Sequence, residues 1–168
     1  MVQVVHLDAN ILIPILWDRD PGLESASKAL VKRLRGEVKS QPNREVKIPK
    51  LTVGEVLDKY FEDLNGRSVP SRSDRNGGFI DSLEEVITDL DANVSSIQTE
   101  CWKVARELKR KDRFLEHNDL FIASMAIQDN NSTHLLTRDS DLTETTAIKD
   151  VCRERSERNH GLTVGPSF

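Results

Sequence analysis

A chain of 168 residues is long enough for one domain with a core of its own, and 37% hydrophobic against 31% charged residues keeps it clear of the disordered regime. The longest apolar run, residues 11–17, is far too short to span a bilayer, so no membrane partner is expected. A net charge of −4, from 24 basic and 28 acidic residues, argues against nucleic acid only if the sum alone matters. The distribution is uneven. Residues 28–50 hold eight Lys or Arg against Glu37 and Glu45, and residues 103–113 hold six against Glu107 and Asp112, so a basic rim or simply solvated helix faces would account for both runs. Cys101 and Cys152 have neither CxxC nor zinc-finger spacing, and Asp8 interrupts the first apolar stretch where a secretory signal would lie, so a cytoplasmic setting is expected.

In chain order, the β-branched run at 2–7 predicts a buried first strand ending at Asp8, and Asn10 then resembles an N-cap for a short helix to residue 17. Pro21 opens a second helix that is expected to end at Gly36. A strand at 46–48 precedes a helix starting at Thr52, whose apolar stripe includes Val53, Val56, Leu57 and Tyr60. Residues 65–78 are nearly free of apolar side chains and read as a mobile surface loop. Helices are predicted at 79–90, 99–111, 119–129 and 143–158, with strands at 94–97, 133–137 and 162–164. This alternation predicts one α/β domain over 1–168, a three-layer α/β/α sandwich around a mostly parallel sheet.

Parallel sheets present their ligand sites at the carboxyl ends of the strands. Asp8 ends a strand, Asp119 begins a helix, and the twenty residues after it suffice to descend that helix and climb the next strand, returning Asp139 to the same edge. Glu55, in a helix entered from a strand, should face that edge too. Such close carboxylates repel unless a cation neutralises them, and an all-oxygen set selects Mg2+ or Mn2+ over zinc. Local explanations compete: Glu55 stands at capping-box spacing from Thr52, Asp119 suits a helix N-terminus, and Asp141 reads as an N-cap before Glu144. Asp139 can serve that same turn, and Asp8 with Asn10 an Asx turn. His6 reads as a strand residue, and His117, His134 and His160 as surface or turn residues. Trp17 and Trp102 read as core or interface.

VVHLDANILI, TVGEVL, NDLFIASMAI and HLLTRDSDL, in that order, resemble the acidic signatures of PIN domains, a family of metal-dependent ribonucleases that includes VapC-type toxins. The resemblance runs from residue 2 to about residue 164, with TVGEVL the least specific piece. It implies a PIN-type fold, metal ligation by Asp8, Glu55, Asp119 and Asp139, and a peripheral ligand at Asp141. It also implies supporting roles for Asn10 and Thr137 beside the first and last acids. The activity implied is endonucleolytic RNA hydrolysis leaving 5'-phosphate and 3'-hydroxyl ends, in a homodimer that is either a toxin restrained by an antitoxin protein or an RNA-processing nuclease. The segment 65–78 and the Arg-rich C-terminal helix depart from compact toxin members. Two other readings are a haloacid-dehalogenase-like phosphatase using Asp8 as nucleophile, which lacks its second acid because position 10 is Asn, and a catalytically silent RNA- or protein-binding module.

Overall fold

Val4, Val5 and Leu7, with Leu135 and Leu136, are fully buried and leave their strands no solvent-facing side, which puts those strands at the centre of the sheet. The computed structural model describes residues 2–16, 21–65, 78–155 and 161–167, with side chains for all of these but 63–65. Strands β1 (Gln3–Leu7), β2 (Arg44–Pro49), β3 (Asn93–Ser95), β4 (Ser132–Leu136) and β5 (Thr163–Gly165) form one sheet in the order β3-β2-β1-β4-β5. Every pairing is parallel. The strand order reverses between β1 and β4, the place where such sheets open a crevice at their carboxyl ends.

Helices α1 (Ala9–Leu16), α2 (Pro21–Ser40), α3 (Lys50–Asn65) and α4 (Gly78–Asp89) contribute to one core with Val5, Leu7, Ile48 and Leu136. Tyr60 of α3 stacks on Phe79 of α4 there, ring centroids 4.0 Å apart. Helices α5 (Cys101–Lys111), α6 (His117–Gln128) and α8 (Ala147–Glu154) form a second core against Leu135, while α7 (Ser140–Glu144) adds Leu142 to it. Adjacent residues Leu135 and Leu136 thus face opposite cores, as the period of two demands. Helices cover both faces of the sheet, which is the three-layer α/β/α sandwich that the alternation predicts.

Several boundaries differ from the sequence expectation. Helix α2 passes through Gly36 to Ser40; Leu34 is buried just before it, and Glu37 takes ion pairs from Arg33 and Arg44, which together outweigh the roughly 1 kcal/mol that a helical glycine costs. The helix expected at 143–158 is two helices, because the Thr145 hydroxyl donates to Asp112 Oδ2 at 2.7 Å and accepts from Ala147 N, holding Thr145 extended. The segment 65–78 lies outside the described residues except at its ends, which close α3 and open α4. Trp17 and His160 also lie outside them. Trp102 is not a core residue: it is 57% exposed on α5, edge-on to Phe121. His134 is a half-buried strand residue rather than a turn residue.

The far end of α6 carries a half-buried electrostatic tie. Asp129 Oδ2 accepts from Lys47 Nζ at 2.7 Å and lies 3.5 Å from His6 Nε2, joining β1, β2 and the loop into β4. Burial would raise the Asp129 carboxyl, but the nearby His6 ring and the hydrogen bonds from Lys47 and Asn131 N outweigh it and hold the group well below the usual carboxylate range. Its contribution is present above the unfolded value near pH 4 and is lost as pH falls below that. Asp129→Asn should therefore lower stability at pH 7 by about 1–3 kcal/mol, read as a reduced urea midpoint. An unchanged midpoint would refute the tie.

Candidate functional site

The first acid is set by the end of β1. The Asp8 amide donates to Leu136 O at 3.0 Å, carrying the β1–β4 ladder one residue past the strand, and α1 starts immediately afterwards. Asp8 is only 3% exposed, and both oxygens of its carboxylate are hydrogen-bonded: Oδ1 accepts from Ala9 N at 2.7 Å, and Oδ2 accepts from Asn10 Nδ2 at 2.8 Å and Thr137 Oγ1 at 2.7 Å. Thr137, buried beyond β4, accepts in turn from Asn10 Nδ2 and from Asp139 N, both at 3.0 Å. Asn10 Oδ1 accepts from Arg138 N at 2.7 Å. One hydroxyl and one carboxamide therefore fix the first acid against the turn that carries the last.

Asp139 caps α7 by accepting from Asp141 N at 2.7 Å. Asp119, in the first turn of α6, joins them: Asp119, Asp139 and Asp141 each offer an oxygen, all within 4.8 Å of one another. Glu55 enters from α3 and faces the Asn118 side chain, which favours its ionised form. Asp8 and Glu55 lie close enough to interact electrostatically with Asp139 and with Asp119.

Burial raises the Asp8 carboxyl, opposed by its hydrogen bonds to Thr137, Ala9 and Asn10 and reinforced by Asp139. Burial also raises Glu55, with Asp8 and Asp139 adding to it and Asn118 and Lys59 opposing. Asp119 is pushed up to about 7, by burial first and then by Asp139, Asp8, Glu55 and Glu116. Burial is the leading cause in all three, and like charge gathered at the same edge adds to it.

Every acid named from the sequence thus reaches the carboxyl edge, but the local explanations fare differently. Thr52 does not cap α3, which begins at Lys50; its buried hydroxyl instead donates to Leu7 O at 3.3 Å, so there is no capping box to account for Glu55. Asn10 is not an N-cap either, because α1 begins at Ala9 and the Asn10 side chain is spent on Asp8, Thr137 and Arg138. Asp141 gives its amide to the cap instead of being the cap, which leaves its carboxylate exposed beside Asp139. Sequence reasoning missed Asn118 and Arg138; the first is the residue before Asp119, and the second bonds Ser27 of α2 through its guanidinium.

The donor set suits a hard divalent cation. All the contributing atoms are carboxylate oxygens, the grouped three have nearly the spread of oxygens around one such ion, and the charge repulsion lacks an internal counter-cation at Asp8 and Asp119 among the described residues. Asp8, Glu55, Asp119 and Asp139 can hold the ion, with Asp141 at its margin.

No curated protein sequence matches the chain. Among solved structures, a chain of the VapBC2 complex from Rickettsia felis, crystallised with a DNA fragment from its promoter, is similar with a TM-score of 0.55 at 16% identity, covering 96% of this chain and 98% of that one. That likeness is one of fold. The sequence model of the PIN domain matches residues 5–148, which include all the acids described and both of their supporting side chains. The phosphatase alternative falls with that match and with Asn10, whose carboxamide is committed to holding Asp8. The chain belongs to the PIN domain family.

Proposed function

We propose that the protein is a divalent-metal-dependent endoribonuclease, with Mg2+ or Mn2+ held by Asp8, Glu55, Asp119 and Asp139 and with Asp141 as a peripheral ligand. The observation that carries this reading is the convergence of four carboxylates from separate parts of the chain on one sheet edge, at the cost of raised pKa values at Asp8, Glu55 and Asp119. A fold does not keep such repulsion for stability alone. When bound, the ion supplies positive charge to a phosphodiester oxygen and acidifies water. The protein's own part is to hold the acids in place: Thr137 and Asn10 fix the carboxylate plane of Asp8, and Asn118 steadies Glu55.

The same reading makes the chain the toxin of a toxin–antitoxin pair, acting as a homodimer in the cytoplasm. Its support is the fold likeness to a VapBC2 chain over nearly the whole length of both. The free, buried thiols of Cys101 and Cys152 suit a reducing compartment. An antitoxin would be sought as a small protein that copurifies when encoded beside this one.

The test is incubation with a panel of defined single-stranded RNAs, with and without Mn2+ and chelator, beside Asp8→Asn. Cleavage is expected only for the wild type with metal, leaving 5'-phosphate and 3'-hydroxyl ends. Cutting that survives both chelation and Asp8→Asn would overturn the reading.

A further inference from the structure

Phe114 is 83% exposed, the most exposed of the large hydrophobic side chains described. Its loop is nonetheless firmly held. Lys109 Nζ donates to Arg113 O at 2.6 Å and Leu115 O at 2.7 Å, Phe114 N donates to Asp112 Oδ1 at 2.9 Å, and Leu115 is buried in the second core. A fixed loop that displays an aromatic ring to water gains nothing in stability from the ring. The loop runs directly into α6, whose first turn carries Asp119, so Phe114 stands five residues before that acid in the chain. A concavity of about 490 Å3 is lined by Lys109, Phe114, Leu115, Glu116, His117 and Asn118, the last of which is the residue before Asp119. Arg110 and Arg113 are exposed on the same stretch of chain.

The second basic run therefore differs from the first. Lys28, Arg33, Arg35, Arg44 and Lys47 are paired with carboxylates on α2, β2 and their neighbours. In the second run Lys111 is paired with Glu154, while Lys109 lines the concavity and Arg113 is exposed in the chain next to Phe114. A single ring interleaved with cations is the pattern of single-stranded nucleic-acid grooves. The core of a protein interface is depleted of charge and contiguous in apolar surface, which this loop is not.

We propose that this concavity is a substrate subsite in which a base flanking the scissile phosphate stacks on Phe114 while Lys109 and Arg113 bring positive charge to the adjoining phosphates. The proposal rests on the endoribonuclease reading above. It confers a preference for single strands, because a paired base offers no free face, and tolerance of base identity at that position.

The test compares wild type, Phe114→Ala and Phe114→Trp on one cleaved RNA and on the same RNA made abasic at each nucleotide flanking the cut. Phe114→Ala should raise KM about tenfold with kcat little changed, and Phe114→Trp should restore it. One abasic position should cost the wild type a similar factor and cost Phe114→Ala almost nothing. Indole fluorescence of Phe114→Trp, read against the wild type, should change on binding the RNA in chelator. An unchanged KM in Phe114→Ala, or equal abasic losses in both proteins, would overturn the proposal. So would loss of dimer or antitoxin binding in Phe114→Ala with RNA kinetics intact, which would make the ring a protein contact. If the wild type neither binds nor cleaves RNA the functional reading itself fails, an outcome distinct from cleavage that ignores Phe114.

Discussion

Asp119→Asn is expected to lower RNA cleavage at least about a hundredfold while raising the melting temperature of the metal-free protein at pH 8. The two effects have one origin. With its carboxyl pushed up to about 7, Asp119 is ionised at pH 8 only against burial and the fields of Asp139, Asp8, Glu55 and Glu116. A neutral amide of the same shape removes that cost, which after allowance for solvent screening is about 2 kcal/mol, or roughly 4–8 °C for a domain of this size. It also removes a charged ligand, which the proposed chemistry does not tolerate. Thermal melts and cleavage assays on one preparation decide the matter. A variant that loses both activity and stability would mark Asp119 as a structural helix residue, and one that keeps full activity would remove it from the metal set.

The wild type without metal should lose stability as pH rises from about 4 to about 7, and divalent cations should restore it chiefly at the upper end. The folded chain keeps a proton on Asp119 up to about pH 7, whereas an unfolded aspartate releases it near 3.9. Between those values the folded state binds more protons, so the stabilising term is complete below about 4 and gone above about 7. Asp8 and Glu55, also raised, act in the same direction. Asp129, held low, acts oppositely but only in acid below that window. In chelator, the melting temperature should be higher at pH 5.5 than at pH 8. Mn2+ at about a hundred times its dissociation constant should add about 2.7 kcal/mol at pH 8 and much less at pH 5.5, where it competes with protons. A flat pH profile in chelator, or equal Mn2+ shifts at both pH values, would contradict a carboxylate cluster of this kind.

The sheet and the acidic edge were legible because both depend on features that sequence carries locally. β-Branched and apolar runs mark β1 and β4, and an acid at the end of each run must emerge at the carboxyl edge once the strands are parallel. What was not legible depends on contacts between distant residues. Thr52 and Glu55 have the spacing of a capping box, yet the Thr52 hydroxyl turns to Leu7 O, forty-five residues away. Gly36 looks like a helix end, yet Glu37 meets Arg44 of the next strand and the helix continues. The break between α7 and α8 follows from a hydrogen bond to Asp112, which no local pattern announces. Asn118 and the exposed Phe114 were invisible for a related reason: their importance is a matter of neighbourhood, not of residue type.

The Thr137 hydroxyl, bonded to Asp8 across 129 residues and to the Asp139 amide two residues on, ties the site to the order in which the chain is completed. A chain ending before β4 holds Asp8, Glu55 and Asp119, but lacks both the fourth acid and the hydroxyl that orients the first. No fragment of the early sequence can assemble the edge by itself. Burying β4 beside β1 is therefore the step that creates the site, and any loosening of that strand pair would dismantle the site before the rest of the sheet is lost.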